Sequence, residues 1–366
     1  MDFNLSEMQR MLLDSAQRYI GDHYSLEHRR SLRATPDGLD RDAWGTFAEL
    51  GWLAILLPEH LGGIGGTMED AAVLSNALGK RCVTEPFTSN AILAATVLAG
   101  SVGEPSALCG DLVSGQARFA LADTEQGERY SHAGCRGVKL QERDGRLFMS
   151  GQKVMVMDAP SATHFLVTAE RDQSFVLVLV EATAPGVTRA DYALYDGSRA
   201  SDLTFDTELE AEQILAVKEV AEDLLALALD RSRVALAAQS VGSMEAELEI
   251  CSAYLKERQQ FGQPIGKFQA LQHIMADMFV ATHQARSMLY FALSQLDAAQ
   301  KQREQAVALA RAHISEAAQL VSRQAIQLHG GYGVTDEYEV SHHYRRQLIL
   351  EKTYGDVTWC LARAVG

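Results

Sequence analysis

Two short runs carry residues suited to ligand chemistry. The first, Lys256-Glu257-Arg258-Gln259-Gln260-Phe261-Gly262-Gln263-Pro264-Ile265, sets an arginine at the end of a long helical pattern, beside an aromatic residue and a tight turn. A guanidinium is a planar fork that can hold a pyrophosphate through paired hydrogen bonds, and a helix-terminal salt bridge is the plain alternative. The second, Gln327-Leu328-His329-Gly330-Gly331-Tyr332-Gly333, puts glycines at a helix end. Such glycines permit left-handed backbone and close approach of a ligand, and Gln327 could read an adenine edge; a plain helix cap followed by a turn explains the run equally well.

Other candidates are weaker. The cluster Gly62-Gly63-Ile64-Gly65-Gly66 lacks a following Lys-Ser/Thr pair and a β-α-β context, so it reads as a turn. His342 and His343 are adjacent, point in different directions on a helix, and have no ligand-spaced carboxylate or cysteine. A surface or interface role is expected for them, and likewise for His313 and His329.

The elements that must position these residues follow from periodicity. From Leu5 to about Leu98 the pattern is helical: Met8, Met11, Leu12, Ala16 and Tyr19 recur at three- and four-residue steps, and Ala43, Phe47 and Leu50 repeat the stripe. Between about Ala117 and Phe205, short apolar runs alternate with turn residues: Phe119 to Leu121, Arg146 to Met149, Lys153 to Met157, His164 to Ala169 and Phe175 to Val180. Asp144-Gly145 signals a hairpin. From about Glu210 helical patterning returns, with long helices expected over roughly Glu222 to Glu257, Lys267 to Leu296, Arg303 to Leu328 and Tyr338 to Ala364. An α+β multidomain chain results: a helical domain over 1–115, a β domain over 116–208 and a helical bundle over 209–366, its helices long enough to continue packing across a subunit interface.

Composition bounds the function. The 366 residues carry 33 Lys and Arg against 48 Asp and Glu, a formal charge of -15, which argues against a nucleic-acid footprint. No run is long and apolar enough to span a bilayer, and no export signal precedes the first helix. The five scattered cysteines (Cys82, Cys109, Cys135, Cys251, Cys360) read as reduced thiols of a cytoplasmic protein, neither a disulfide framework nor a zinc site.

The two C-terminal runs, in this order and separation, resemble the acyl-CoA dehydrogenase family. FGQPIGKFQALQHIMAD (Phe261 to Asp277) resembles the segment after that family's flavin-contact arginine, QLHGGYGVTDEYEV (Gln327 to Val340) its glycine-rich segment, and LPEHLGGIGG (Leu57 to Gly66) an N-terminal block. The resemblance covers essentially the whole chain. It implies an N-terminal helical domain, a middle β-barrel-like domain and a C-terminal four-helix bundle. It also implies FAD bound between subunits, with Arg258 and Phe261 at the pyrophosphate and Gln327, Gly330 and Gly331 along the adenosine of a neighbour's flavin.

The family's catalytic base is a carboxylate that takes the α proton of an acyl-CoA. Tyr354, before Gly355, occupies the usual base position, and a phenol with pKa near ~10 is a poor base at neutral pH. In members that carry the base beside a retained arginine, here Arg233, the matching residue is Ser232. On a continuous helix Glu351 would lie about 60° and Asp356 about 160° from the Tyr354 face, so neither is a ready substitute. No residue of this chain is therefore assigned a catalytic role. The ring-side cradle departs as well: Thr124-Glu125-Gln126-Gly127-Glu128-Arg129-Tyr130 stands for Thr-Glu-Pro-Gly-Ala-Gly-Ser, and Lys153-Val154-Met155-Val156-Met157 for Lys-x-Trp-Ile-Thr. Met155 and Met157 replace a tryptophan and a threonine that meet the flavin.

These losses, beside an intact adenosine side, resemble the small subunits of two-component acyl-CoA dehydrogenases, such as those acting on pimeloyl-CoA or on CoA thioesters of steroid side chains. The resemblance implies an α2β2 assembly with a homologous catalytic subunit, FAD shared with that partner, an acyl-CoA substrate and an electron-transfer flavoprotein as acceptor. A self-sufficient homotetramer with Glu351 or Asp356 as an unconventional base, and a non-enzymatic scaffold homodimer, are the other two readings.

Overall fold

A computed structural model describes residues 5–103, 105–134 and 137–365. Helices open the chain: α1 (Glu7–His23), α2 (Leu26–Leu32), α3 (Arg41–Glu49), α4 (Met68–Lys80), a π-helical segment Thr88–Ala94 continuing into α5 (Ala95–Gly100), and α6 (Ser106–Val113). Ser6 and Gln9 form a reciprocal capping box that starts α1, and Leu12, Ala16 and Ile20 bury one stripe at four-residue steps. Asp40 caps α3 through the amides of Asp42 and Ala43. The glycine cluster after Pro58 is a turn, as expected: a Cβ on Gly63 would lie 1.9 Å from the Leu57 carbonyl oxygen.

The strands follow: β1 (Phe119–Ala122), β2 (Lys139–Arg143), β3 (Arg146–Met157), β4 (His164–Arg171), β5 (Ser174–Glu181), β6 (Val187–Ala193), β7 (Arg199–Leu209) and β8 (Ile214–Val217). Sheet order is β6-β7-β3-β2-β4-β5-β8, with β1 parallel to β4. Phe165 on β4 and Phe205 on β7 lie three places apart in that order, yet their rings are 6.5 Å apart. A flat sheet with strands ~4.8 Å apart would separate them by about 14 Å, so the sheet curls around one core. Asp144 (φ 52°) and Gly145 (φ 76°) make the expected hairpin turn between β2 and β3. The two apolar runs expected as separate strands are one: β3 pairs with β7 through Ser150, Gly151 and Gln152, and the register shifts only between Lys153 and Val156.

The remaining elements are α7 (Lys218–Glu257), the short pair β9 (Gln259–Gln260) and β10 (Gln263–Pro264), α8 (Gln269–Ser294), α9 (Gln300–His329), α10 (Glu339–Lys352) and α11 (Val357–Val365). The last predicted helix is thus two. The chain leaves α10 through Tyr354 at φ 59° and Gly355 at φ 135°, conformations that no continuing helix allows.

The described residues form two compact units: those up to Ser31 with Met68–Val83 and those from Arg233 onward, and those within Leu32–Thr67 and Thr84–Ser232. In the first, reciprocal glycines bring α4 and α7 into backbone contact. A Cβ on Gly79 would meet the Gln239 carbonyl oxygen at 2.1 Å, and one on Gly242 would meet that of Asn76 at 2.0 Å. No helix among the described residues is long and apolar enough to cross a membrane. Cys82, Cys109, Cys251 and Cys360 are buried and form no disulfide among the described residues, while Cys135 lies outside them.

Candidate functional site

The two sequence motifs meet at one end of the helical unit. Arg258 closes the last turn of α7, its amide donating to the Tyr254 carbonyl at 2.8 Å. The Tyr254 ring lies on His329, the last residue of α9, with centroids 4.2 Å apart. That contact joins the helix end before Arg258 to the helix end after Gln327.

Arg258, Phe261, Gln327, Gly330 and Gly331 are all exposed. Phe261 sits in the β9–β10 turn at φ 53°, followed by Gly262 at φ 76°, and is 90% exposed, with only its edge near Phe268. Holding a bulky non-glycine residue in the left-handed region costs about 1 kcal/mol. The turn therefore presents an aromatic ring outward at the expense of backbone strain. Among the described residues, neither the Arg258 guanidinium nor the Gln327 amide has an ion-pair or hydrogen-bond partner.

Gly330 ends α9 at φ 59°, ψ -140°, a combination reserved to glycine. Gly331 has a different reason: its φ is unremarkable and a Cβ there would meet nothing within 4 Å. Its lack of a side chain leaves space facing outward.

Beneath this surface runs an aromatic stack that the sequence reading missed. His329 contacts Tyr338 at 4.8 Å, and Tyr338 contacts Tyr332 at 4.4 Å. His329 is buried, contrary to the expected surface role; its Nδ1 donates to the Ala325 carbonyl at 2.7 Å and burial lowers its pKa. Burial, with Cys251 and the neighbouring tyrosines adding, pushes the Tyr338 phenol up to about 12. The one available signal was spacing, since Tyr254 stands one helical turn before Arg258.

His342 and His343 also depart from expectation, each being 3% exposed. His342 accepts from Arg29 at 3.3 Å, and His343 Nδ1 lies 2.7 Å from the Ser243 hydroxyl and 3.2 Å from the Cys82 thiol. Burial, reinforced by Arg29, pushes His342 down to about 4 and His343 to about 3, so both are neutral packing groups.

The positions where a base would stand are accounted for. Ser232 is buried, and its hydroxyl donates to the Ala228 carbonyl one turn back at 2.7 Å. The Arg233 guanidinium donates to the Tyr354 carbonyl at 2.8 Å and lies over the Trp359 ring at 4.7 Å. Because the chain is not helical around Tyr354, the helical angles expected for Glu351 and Asp356 do not hold. Both carboxylates have structural partners instead. Glu351 accepts the Val357 amide at 3.2 Å and pairs with Lys352 at 2.8 Å, while Asp356 caps α11 at the Trp359 amide, 2.9 Å.

In the sheet unit, Glu125 is a structural clamp. Its carboxylate takes the fully buried Lys153 ammonium at 2.7 Å and the amides of Gly137 and Val138 at 2.7 and 3.2 Å. Burial alone would raise Glu125, but Lys153 and these amides hold it below the usual carboxylate range. Beside it, Asp123 contacts His132; burial opposes its ionisation, yet His132 and Lys153 keep the carboxyl low. Met155 occupies the β3 bulge at φ 55°, 55% exposed. Gln126, Gly127, Glu128 and Arg129 are exposed.

Comparison with known proteins decides the family. The family descriptions "Acyl-CoA dehydrogenase, N-terminal domain" and "Acyl-CoA dehydrogenase, C-terminal domain" match residues 6–103 and 223–356. A probable acyl-CoA dehydrogenase of Bacillus subtilis (strain 168), YngJ, is 30% identical over 371 residues, covering 96% of this chain and 95% of the relative. The chain belongs to the acyl-CoA dehydrogenase family. Its helical, sheet and helical regions are that family's fold. Among solved structures, the ChsE4-ChsE5 complex from Mycobacterium tuberculosis is similar at TM-score 0.88 and 26% identity, covering 99% of this chain and 97% of that one. A variant of the Tcur3481-Tcur3483 steroid ACAD is similar at TM-score 0.88 and 28% identity, covering 98% and 97%.

Proposed function

We propose that this chain is the non-catalytic subunit of a heteromeric acyl-CoA dehydrogenase, lending the adenosine and pyrophosphate side of an FAD site to a homologous catalytic subunit. The reaction is α,β-desaturation of an acyl-CoA thioester: a base takes a proton from the α carbon while a hydride leaves the β carbon. Bound FAD supplies the hydride acceptor.

The observation that carries this reading is the combination of an unpaired, outward-facing Arg258 and Gln327 with base positions held by Tyr354 and Ser232. The exposed donor set suits a dinucleotide: Arg258 carries the fork for two phosphates, Gln327 offers both edges of an amide, and Gly331 leaves room for close approach. Phe261 would cover the pyrophosphate from the β9–β10 turn, and Gly330 would shape the adenosine edge. None of these groups moves a proton. The engagement of Glu351 and Asp356 leaves the α proton to a base on the partner.

Several apolar residues of α8 and α9 lie open, including Phe279, Val280, Phe291, Leu309 and Leu320, consistent with a second subunit covering the bundle. Similarity to the ChsE4-ChsE5 complex supports a two-component assembly, for which α2β2 is the expected form. The steroid ACAD among the neighbours supports a bulky acyl group. An electron-transfer flavoprotein is the expected acceptor and the cytoplasm the expected location.

Purification of the chain alone and co-expressed with the homologous subunit tests the reading, using visible absorption and native mass. The expected result is a colourless, inactive chain alone and a yellow, active heteromer. A yellow, active protein obtained from this chain alone would overturn it.

A further inference from the structure

We propose that Tyr332 is the stacking platform for the adenine ring of the bound nucleotide, a specificity residue that selects an adenine-bearing ligand at the Arg258 and Gln327 surface. This rests on the reading above and adds a residue and a chemical selectivity to it. Tyr332 stands in the middle of the turn Gly330–Val334 and is 48% exposed. One side of its ring is set against Tyr338, with centroids 4.4 Å apart and planes 37° apart. Tyr338 is backed by His329 at 4.8 Å and His329 by Tyr254 at 4.2 Å, so the outermost ring is braced by three more that lead inward. Among the described residues its hydroxyl has no hydrogen-bond partner, which leaves ring packing alone to fix its place.

An aromatic ring braced by another ring and still about half exposed is what a flat base needs. Purine stacking is sequence-tolerant and strong, and an adjacent amide supplies the edge recognition that stacking lacks. Gln327 stands at the end of the helix from which this turn issues, and Arg258 lies one helical turn beyond Tyr254 at the other end of the same stack. Base, edge and diphosphate are thereby assigned to Tyr332, Gln327 and Arg258, all exposed on segments that the ring contacts tie together.

The full chain is titrated calorimetrically with ADP and with FMN, which bears a flavin ring and one phosphate but no adenine. Wild type is expected to bind ADP and not FMN. Tyr332→Leu, which keeps bulk and removes the π face, is expected to weaken ADP by about 5- to 100-fold, the loss typical of one stacked base, while Tyr332→Phe binds as wild type. A second measurement needs no substitution: ADP is expected to protect Tyr332 from nitration by tetranitromethane, read by peptide mass spectrometry, and FMN is not. Absence of ADP binding by wild type would overturn the underlying reading together with this one. ADP binding that is unchanged in Tyr332→Leu, or that leaves Tyr332 open to nitration, would overturn the stacking role alone.

Discussion

The rings of Tyr254 and His329 lie 4.2 Å apart with planes 34° apart, and this contact fastens the end of α7 to the end of α9. Tyr254→Ala should therefore act twice. It should lower the unfolding free energy by about 1–3 kcal/mol, less than a fully buried aromatic because Tyr254 is half-buried. Under the proposed function it should also reduce the flavin retained by the heteromer, since Arg258 and Gln327 would no longer be held together. Tyr254→Phe, which keeps the ring, should do neither. Denaturant midpoints and the flavin-to-protein absorbance ratio measure the two effects.

Phe261 sets local stability against function. It is 90% exposed and held at φ 53°, so within the isolated chain its side chain gains only the edge contact with Phe268. Phe261→Gly relieves the left-handed backbone but gives up the Phe268 contact and frees the unfolded chain, so the isolated chain's stability should change by no more than about 1 kcal/mol. The same change should lower flavin retention in the heteromer. A variant destabilised by more than that, or one that retains flavin fully, would show that the ring serves its own chain rather than a ligand.

Much of this was legible before the structure. The order of helical, sheet and helical regions followed from a change of period, and Asp144-Gly145 announced its hairpin because both residues accept positive φ. Arg258 and Gln327 stood out as candidates by residue type at helix ends, and the structure leaves both exposed. The break after α10 was hidden: Tyr338 to Ala364 has helical periodicity throughout, and Gly355 alone marks the place where the backbone leaves it. Burial of His342 was equally hidden, since Arg29, which donates to it, lies 313 positions away. Lys153 reads as a surface residue of an alternating strand, and only the Glu125 loop folding over it makes a buried ammonium tenable. Long-range polar pairing leaves no local period.

The Lys153 clamp is asymmetric. Glu125→Ala leaves a fully buried ammonium with the Thr168 hydroxyl at 2.9 Å and without its directly bonded counter-charge, the Asp123 carboxylate acting only from farther off, and should destabilise by about 3 kcal/mol. Lys153→Met leaves a carboxylate still bonded to two backbone amides and should cost less, about 1–2 kcal/mol. The folded pKa of Glu125 is depressed, so its stabilising contribution is present above the unfolded value and lost as pH falls through the folded one. Wild type should thus lose stability in acid more steeply than Glu125→Ala, as urea midpoints between pH 6 and pH 3 would record.

Glu247 carries the opposite sign. It is fully buried in α7, bonded to the Ser322 hydroxyl at 3.2 Å, with its other oxygen lacking a partner among the described residues. Burial raises its pKa well above the usual carboxylate value. A folded pKa above the unfolded one gives stability that is present below the unfolded value and lost as pH rises through the folded one. Glu247→Gln removes that titration while keeping the shape. The variant should be favoured over wild type by a margin that widens from pH 5 to pH 8 in thermal melts, and a constant margin would mean that the carboxyl is already paired.

The sharpest test of the absent base is to install one. Tyr354→Glu places a carboxylate where the family resemblance sets the base, at a backbone position of φ 59° that is held from behind by Arg233 through the Tyr354 carbonyl. If the missing glutamate were the sole defect, the purified chain would gain dehydrogenase activity with an artificial electron acceptor. The ring side argues otherwise. Glu125 is committed to Lys153 and two amides, and Met155 stands exposed at a bulge where it offers a thioether and no donor. Tyr354→Glu alone is therefore expected to remain colourless and inactive, with a normal melting transition. In the proposed heteromer the same substitution should leave turnover unchanged, because that reading assigns proton abstraction to the partner's carboxylate. Activity gained by the isolated variant would reduce the difference from a self-sufficient dehydrogenase to one residue, whereas its absence places that difference in the cradle as well as in the base.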